Sequence, residues 1–319
     1  MTVALFTLGG TISMAGNRRL TGDDLTAAMP GLSGLGHQVE IQDVEKIPSA
    51  DLTAAKLLEV IDAASKAVTA GAAGVVVTQG TDTLEESAFL ADLVWPHPQP
   101  LVFTGAMRNP TLAGPDGPAN LLAALRVACS PAARDLGALV VFKEEIHAAR
   151  WVRKTHSTST GTFVSPNTGP IGHVVEDQVR VLTRPLRLDG VQGSAEPAAL
   201  DGIKVALYTV TLDDDGLLLR GLADTHQGLV VAGYGVGHVP SALAPVLGEL
   251  ANRIPVVLTS RTGAGSILRS TYRSPGSETD LLQRGLIDGG FLDPYKARIL
   301  LRLLLATNEE PAAGFGQYV

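Results

Sequence analysis

The chain has 319 residues, which is enough for two domains of ordinary size. Charged residues make up 18% and apolar residues 45%, a composition typical of a compact α/β protein rather than a disordered or fibrous one. The formal net charge of −7 and the lack of a basic stripe argue against a nucleic-acid partner, because affinity for phosphate backbones comes from clustered Lys and Arg. No uncharged apolar stretch is long enough to span a bilayer, so we expect no membrane partner.

Cys129 is the only cysteine of the chain, so an intrachain disulfide is excluded and a reducing compartment is favoured. The first residues, MTVALFTLGGTIS, lack the basic segment and cleavage site of a signal peptide and fit a first strand instead. We therefore expect a cytoplasmic protein.

A first strand is predicted over Val3 to Leu8, where an apolar run stops at Gly9-Gly10-Thr11. The polar stretch from Ser13 to Asp23 is interpreted as a mobile loop. Val39 to Val44 predicts a second strand. Each strand is followed by a polar loop, so hydroxyl groups are expected near the strand ends.

Ser49 lies on the loop after the second strand. Two interpretations are open for it. Ser49 is either a binding residue or the N-cap of a helix predicted over Leu52 to Ala67, since serine is a favoured N-cap residue.

The stretch from Val75 to Leu93 passes from an apolar strand into a helix through a polar cluster that contains Thr81, Asp82 and Thr83. The acidic pair Glu85-Glu86 lies three residues after Asp82 and Thr83, a spacing that fits a capping box. The cluster is therefore either a helix cap or an active-site turn. If the strands before Thr11 and Thr81 are parallel members of one sheet, both hydroxyls lie at its carboxyl edge, where open α/β folds bind ligands.

The rest of the first half continues the alternation. Strands are predicted over Leu101 to Thr104 and Leu139 to Phe142, with a helix over Ala119 to Ala128 between them. Beyond them, the segment from Arg150 to Phe163 contains Lys154, for which a surface position is the default interpretation.

A linker is predicted over Thr183 to Gly202, where proline, glycine and short polar residues replace the periodic pattern. The predicted domains are therefore 1–182 and 203–319, joined by 183–202. Further strands are predicted over Ile203 to Thr209, Leu229 to Ala232 and Val256 to Thr259, with a helix over Ser241 to Leu250. Asp293-Pro294 predicts the start of a last helix. We expect a larger N-terminal, mostly parallel α/β domain and a smaller C-terminal α/β domain.

Several common site motifs are absent from the sequence. After the strand at Leu229 to Ala232, Gly233, Gly235 and Gly237 begin a dinucleotide fingerprint, but His238 occupies its last position. Neither a phosphate-binding P-loop nor G-x-S-x-G occurs, and the seven histidines show no metal-binding spacing. What remains is a threonine nucleophile, which needs a neighbouring base such as a neutral lysine to take its proton.

Six motif groups occur in the order found in the bacterial-type L-asparaginases, and together they cover nearly the whole chain. They are LGGTI (8–12), TQGTDTLEE (78–86), TGAMR (104–108), DGPANL (116–121), RKT (153–155) with SPNTGPIG (165–172), and LDPYKAR (292–298). On these motifs the chain resembles that family.

The resemblance implies hydrolysis of the side-chain amide of L-asparagine through a threonine acyl-enzyme, with no metal or cofactor. By motif position, Thr11 matches the nucleophile, and Thr81, Asp82 and Lys154 match a second catalytic triad that handles protons and water. The substrate-binding set it implies consists of Ser49, Gly80, Asp82, the backbone of Ala106, and Glu278.

In this resemblance, Ser49 contacts the substrate α-carboxylate and Asp82 its α-ammonium, while Glu278 reaches into the site of a neighbouring subunit. A homo-oligomer, a dimer or tetramer with sites at the subunit interface, is therefore expected.

The chain departs from the family pattern at three points. No tyrosine precedes Tyr208, although the family's first loop usually carries one. We hypothesise that Tyr272 supplies this hydroxyl from a neighbouring subunit. Ala50 stands where a polar residue is common, and His238 where many relatives have asparagine. Alternative functions are a relaxed glutaminase-asparaginase, the amidase subunit of a tRNA-dependent amidotransferase, and a non-catalytic amino-acid-binding protein.

Overall fold

The structure is a computed structural model that describes residues 1–15, 18–19, 21–27, 29, 31–191 and 197–318. The chain divides into two compact units, Met1–Gly190 and Val191–Val319. The predicted loop at 13–23 includes residues 16, 17 and 20, which lie outside the described residues. No helix in the described part of the chain has the length and apolar character needed to cross a membrane.

The first unit is built on one large sheet and two short strand pairs. Its strands are β1 Thr2–Thr7, β2 Met14–Ala15, β3 Arg18–Arg19, β4 Gln38–Asp43, β5 Ala72–Thr78, β6 Leu101–Thr104, β7 Ala138–Phe142, β8 Glu145–Ala148, β9 Arg153–Lys154, β10 Phe163–Val164, β11 Gly172–Val175 and β12 Gln178–Val181. Among the described residues, the large sheet has the order β12-β11-β8-β7-β6-β5-β1-β4, and β2-β3 and β9-β10 form the short pairs. The five strands from β7 to β4 are parallel, and β8, β11 and β12 extend the sheet in antiparallel fashion.

Four helices accompany this sheet in the described part of the first unit. They are α1 Gly22–Ala27, α2 Ala54–Thr69, α3 Leu84–Val94 and α4 Gly117–Cys129. In the core, Leu121 and Leu125 of α4 cluster with Val76 and Val102 of the sheet. The central strands β5, β6 and β7 are almost wholly buried, as expected for parallel strands covered on both faces.

The carboxyl ends of three strands meet at one edge of this sheet. Thr7, Thr78 and Thr104 are aligned across β1, β5 and β6. The backbone N–H of Leu8 donates to Thr78 O, and that of Gln79 donates to Thr104 O. The segments that leave these strands therefore begin side by side.

The second unit contains a smaller sheet whose four strands are parallel and follow the chain order. They are β13 Val205–Thr209, β14 Gly228–Gly233, β15 Val256–Ser260 and β16 Ile287–Asp288. Its described helices are α5 Pro197–Gly202, α6 Leu243–Ala251, α7 Glu278–Gln283, α8 Pro294–Ala306 and α9 Pro311–Phe315. The expected α/β class, with mostly parallel strands in a larger first domain, is confirmed. The stretch predicted as an irregular linker contains helix α5. This short helix is packed against the rest of the second unit through its buried Leu200.

The predicted start of the last helix is correct. Asp293 is the N-cap of α8, and its side chain accepts the backbone N–H groups of Tyr295 and Lys296. The other oxygen of Asp293 lies 3.4 Å from Nζ of the fully buried Lys296. One carboxylate therefore both caps the helix and faces a buried ammonium group.

Two substitutions at Asp293 separate these roles. Asp293→Ala removes cap and charge, whereas Asp293→Asn removes only the charge, because asparagine is an equally good N-cap. We expect both to destabilise the second unit, with Asp293→Ala worse by about 1 kcal/mol, the usual contribution of a cap. Urea unfolding followed by tyrosine absorbance measures this, since all five tyrosines lie between residues 208 and 318. Equal losses in the two variants would contradict a capping role.

Candidate active site

A hydroxyl, a carboxylate and an ammonium group come together at the end of β5. Nζ of Lys154 donates to Oγ1 of Thr81 at 2.9 Å and to Oδ1 of Asp82 at 3.0 Å. Thr81 is buried, and the Lys154 side chain is only 16% exposed, so Lys154 is not a free surface lysine. The Asp82 side chain is 68% exposed, so its carboxylate remains open to a ligand.

Helix α3 binds the backbone of Lys154 through one of its carboxylates. Its buried Glu85 accepts the backbone N–H of Lys154 at 2.8 Å. Lys154 itself lies on β9, paired with Phe163 of β10. Glu85 therefore binds the strand that carries Lys154.

The interpretation of Asp82 as the helix cap is wrong. The N-cap of α3 is Thr83, and within the described residues its side chain makes no capping hydrogen bond. The Thr83 hydroxyl donates instead to Ser49 O at 2.9 Å. Asp82 and Thr83 are thus directed toward the Ser49 loop rather than toward the free N–H groups of the helix.

Ser49 lies against Asp82 and is not a helix cap. The helix predicted over 52–67 begins at Ala54, and Thr53 caps it by accepting the N–H of Lys56. The buried Ser49 hydroxyl accepts the N–H of Asp82 at 3.2 Å and lies 3.4 Å from its Oδ2. Of the two interpretations, the one that places Ser49 at a binding site agrees with this geometry.

Thr11 leaves β1 beside the β5 turn because two glycines allow the backbones to touch. Gly10 has a φ of +86°, and a Cβ placed there would lie 2.3 Å from the backbone N of Gly80. A Cβ at Gly80 would in turn lie 2.5 Å from Ser49 Oγ. Thr11 begins a short 3-10 helix immediately after this contact. Only residues without a side chain fit at Gly10 and Gly80, and Thr11 is thereby placed beside the Thr81 turn.

Two polar residues that sequence reasoning did not assign to the site support Ala106. Asp116 accepts the backbone N–H groups of Met107 and Arg108. Asn120, which is buried, donates to Gly105 O at 3.0 Å and to Asp116 Oδ2 at 3.1 Å. The buried Ala106 is therefore held between backbone groups that are themselves anchored. We call Asp116 and Asn120 the clamp. In the sequence, both belong to the DGPANL motif at 116–121.

Glu278 belongs to the second unit, at the first residue of α7, and is fully buried there. Its Oε1 accepts the N–H groups of Thr271 and Tyr272, and its Oε2 lies 3.1 Å from Nε2 of His238. Burial alone would raise the pKa of Glu278, but these hydrogen bonds outweigh it and lower the pKa. Tyr272 is half exposed and meets the His238 ring edge-on at 4.8 Å.

No cluster of three or more His, Cys, Asp or Glu side chains in the described ranges is suited to hold a metal ion.

Two family models match the chain. "Asparaginase, N-terminal" matches residues 2–187, and "Glutaminase/Asparaginase C-terminal domain" matches residues 204–313. The chain belongs to the asparaginase family. The resemblance drawn from the motifs is thereby confirmed, and the protein is a hydrolase of the asparaginase type.

Curated relatives in the asparaginase family match at nearly full length. The chain is 34% identical to an L-asparaginase of Bacillus licheniformis, over 97% of this chain and 96% of the relative. It is 36% identical to a probable L-asparaginase of Deinococcus radiodurans, over 95% and 92% of the two chains. The fold is similar to the crystal structure of a probable cytoplasmic L-asparaginase from Campylobacter jejuni, with a TM-score of 0.89, 30% identity and 99% of both chains covered.

The contact between Gly10 and Gly80 can be tested with a matched pair of substitutions. Gly36 also has a positive φ, of +68°, but a Cβ there would meet nothing within 4 Å. Gly36→Ala should cost about 1–2 kcal/mol for the left-handed backbone. Gly10→Ala should cost roughly 1–3 kcal/mol more, because it also forces two backbones apart.

Urea unfolding followed by tryptophan fluorescence gives both values, since Trp95 and Trp151 both lie in the first unit. Equal destabilisation by the two substitutions would show that close contact with Gly80 is not what requires glycine at position 10.

Proposed function

We propose that the protein hydrolyses the side-chain amide of L-asparagine to L-aspartate and ammonia, with Thr11 as the nucleophile. The observation that carries the proposal is the hydrogen-bonded set of Thr81, Lys154 and Asp82 beside the Thr11 strand end. Relatives named L-asparaginase over nearly the full length support the choice of substrate.

In the first step, the Thr11 hydroxyl oxygen bonds to the amide carbon and loses its proton to a base. The C–N bond then breaks, and the nitrogen takes up a proton and leaves as ammonia. The product is an ester between Thr11 and the aspartyl group.

In the second step, water attacks the ester carbon while its proton passes through the Thr81 hydroxyl to Nζ of Lys154. The C–O bond to Thr11 breaks, and the threonine oxygen takes a proton back. Aspartate is released and the hydroxyl is restored. Such positioned proton transfer typically accelerates a reaction by about 10²- to 10⁴-fold.

Asp82 links substrate binding to this proton transfer. Its exposed carboxylate receives the α-ammonium group of the substrate, while Ser49 and the backbone at Gly80 bind the α-carboxylate. Asp82 also accepts a hydrogen bond from Nζ of Lys154, so the same carboxylate contacts both the bound substrate and the proposed base.

Backbone groups at Ala106 complete the proposed pocket near the scissile amide. The clamp formed by Asp116 and Asn120 fixes the Gly105-to-Arg108 turn before substrate arrives. A preorganised polar backbone needs no rearrangement when charge develops on the amide oxygen.

L-Glutamine is the second candidate substrate, because the matching C-terminal family is described as Glutaminase/Asparaginase. Ammonia release from both amides, measured side by side on the purified protein, decides the preference. Binding of aspartate without turnover of either amide would overturn hydrolysis and leave an amino-acid-binding protein.

Substitution of Lys154 tests the proposed chemistry. Lys154→Met keeps the length of the side chain but cannot accept a proton, so kcat for asparagine should fall by at least about 100-fold. Thr11→Ala should abolish turnover. Lys66→Met, which removes an exposed lysine of α2, serves as the control and should keep wild-type kcat. Full activity of Thr11→Ala would exclude Thr11 as the nucleophile.

We further propose a homo-oligomer in which Glu278 of one subunit completes the site of another. Thr11→Ala and Glu278→Gln should each be nearly inactive alone. The amide of Glu278→Gln keeps an acceptor for the N–H groups of Thr271 and Tyr272, so the fold should be preserved.

Co-expression of the two variants tests this arrangement. Random pairing yields hybrids with one intact site, so about a quarter of wild-type activity should return. No recovery in isolated hybrids would place Glu278 in the same subunit's site or outside it.

We also propose a cytoplasmic location, which the single cysteine favours. The names of relatives differ on this point: one is called cytoplasmic and another, from Haemophilus influenzae, periplasmic. Fractionation of the source cells, followed by detection of the native protein, decides between the two compartments.

A further inference from the structure

Two buried polar side chains, His147 and Ser165, link the strand pair that carries Lys154 to the large sheet. His147 of β8 is fully buried, and its Nδ1 lies 2.9 Å from Oγ of the buried Ser165. On the other side of the ring, Nε2 lies 3.3 Å from Oε2 of Glu145. The contact between Nε2 and the Glu145 carboxylate is electrostatic, because within the described ranges Nε2 has no partner with hydrogen-bond geometry.

Ser165 connects His147 to the candidate active site. It directly follows β10, whose Phe163 pairs with Lys154 of β9. Its carbonyl accepts the N–H groups of Thr168 and Gly169, which fixes the turn after β10. The Ser165 hydroxyl thus attaches the β9-β10 pair to β8 of the large sheet, beside the ring contact of Phe163 with Phe142 of β7.

Burial and two neighbouring titratable side chains set the pKa of His147. Burial lowers the pKa of His147, Glu145 raises it, and His173 on the neighbouring β11 lowers it, so the pKa lies below its usual value. A neutral imidazole with its proton on Nε2 faces the Glu145 carboxylate and leaves Nδ1 to accept the Ser165 hydroxyl. A buried hydroxyl and imidazole that satisfy each other in this way are costly to separate.

We propose that His147 and Ser165 are positioning residues that hold the β9-β10 pair so that Nζ of Lys154 stays within bonding distance of Thr81 and Asp82. The inference rests on the proposed function only in giving Lys154 a role in turnover. The hydrogen bond acts through the strand and not on the substrate, so its loss should change kcat more than KM.

Ser165→Ala tests the proposal, because it removes one buried hydroxyl and leaves only a small gap. We expect kcat for L-asparagine to fall about tenfold, because Lys154 is held less accurately, with KM within about twofold of wild type. Hydrogen exchange of backbone amides in residues 152–165 should become about tenfold faster. Ser157→Ala, an exposed serine in the same hairpin, is the matched control and should leave both measurements unchanged.

Ser165→Thr keeps the hydroxyl and should restore kcat to within about threefold of wild type. Unchanged kcat in Ser165→Ala, or equal loss in Ser165→Thr and Ser165→Ala, would overturn the positioning role. The exchange rates test it independently of turnover. If wild-type protein released no ammonia but Ser165→Ala still loosened residues 152–165, the proposed function would fail and the attachment of the strand would stand.

Discussion

Close approach of the backbones at Gly10 and Gly80 is the constraint on which the site depends. Parallel pairing of β1 and β5 brings their carboxyl ends together, but a side chain at Gly10 would meet the backbone of Gly80, and a side chain at Gly80 would meet Ser49. Glycine removes that barrier and tolerates the positive φ of Gly10. Thr11 and Thr81 therefore follow directly after two backbone positions that lie in close contact.

Around that contact, each polar group has a buried partner that restricts it. Glu85 holds the backbone of Lys154, Ser49 holds the backbone of Asp82, and Asn120 holds the turn at Ala106. The Asp82 carboxylate contacts Lys154 and Ser49, but 68% of its side chain remains exposed. A rigid set of donors with one open charge is suited to recognise a zwitterion and then react with it.

Much of the central sheet was predictable, because its strands are continuous apolar runs and its helices show clear periodicity. The strand over Leu101 to Thr104 was predicted with the observed bounds, and Asp293 was correctly identified as a cap. The antiparallel strands β8, β11 and β12 were not predicted. Each has only four residues and the last alternates exposed with half-buried positions, so local pattern is weak there.

The candidate site was predictable as a set of motif positions but not as a set of contacts. From the sequence, Ser49 and Asp82 were equally compatible with helix caps and with binding residues, since short polar side chains serve in both roles. Contacts between residues far apart in sequence decided the matter: the N–H of Asp82 donates to the Ser49 hydroxyl, and the Thr83 hydroxyl donates to Ser49 O. Such contacts depend on how the strands are ordered in the sheet.

Helix α3 has a mechanical consequence for the reacting groups. Thr81 and Asp82 lie just before its first turn, and Glu85 within that turn binds the backbone of Lys154. All three residues are therefore linked to the first turn of one helix. A displacement of that turn would act on the Lys154 backbone and on Thr81 and Asp82 at the same time.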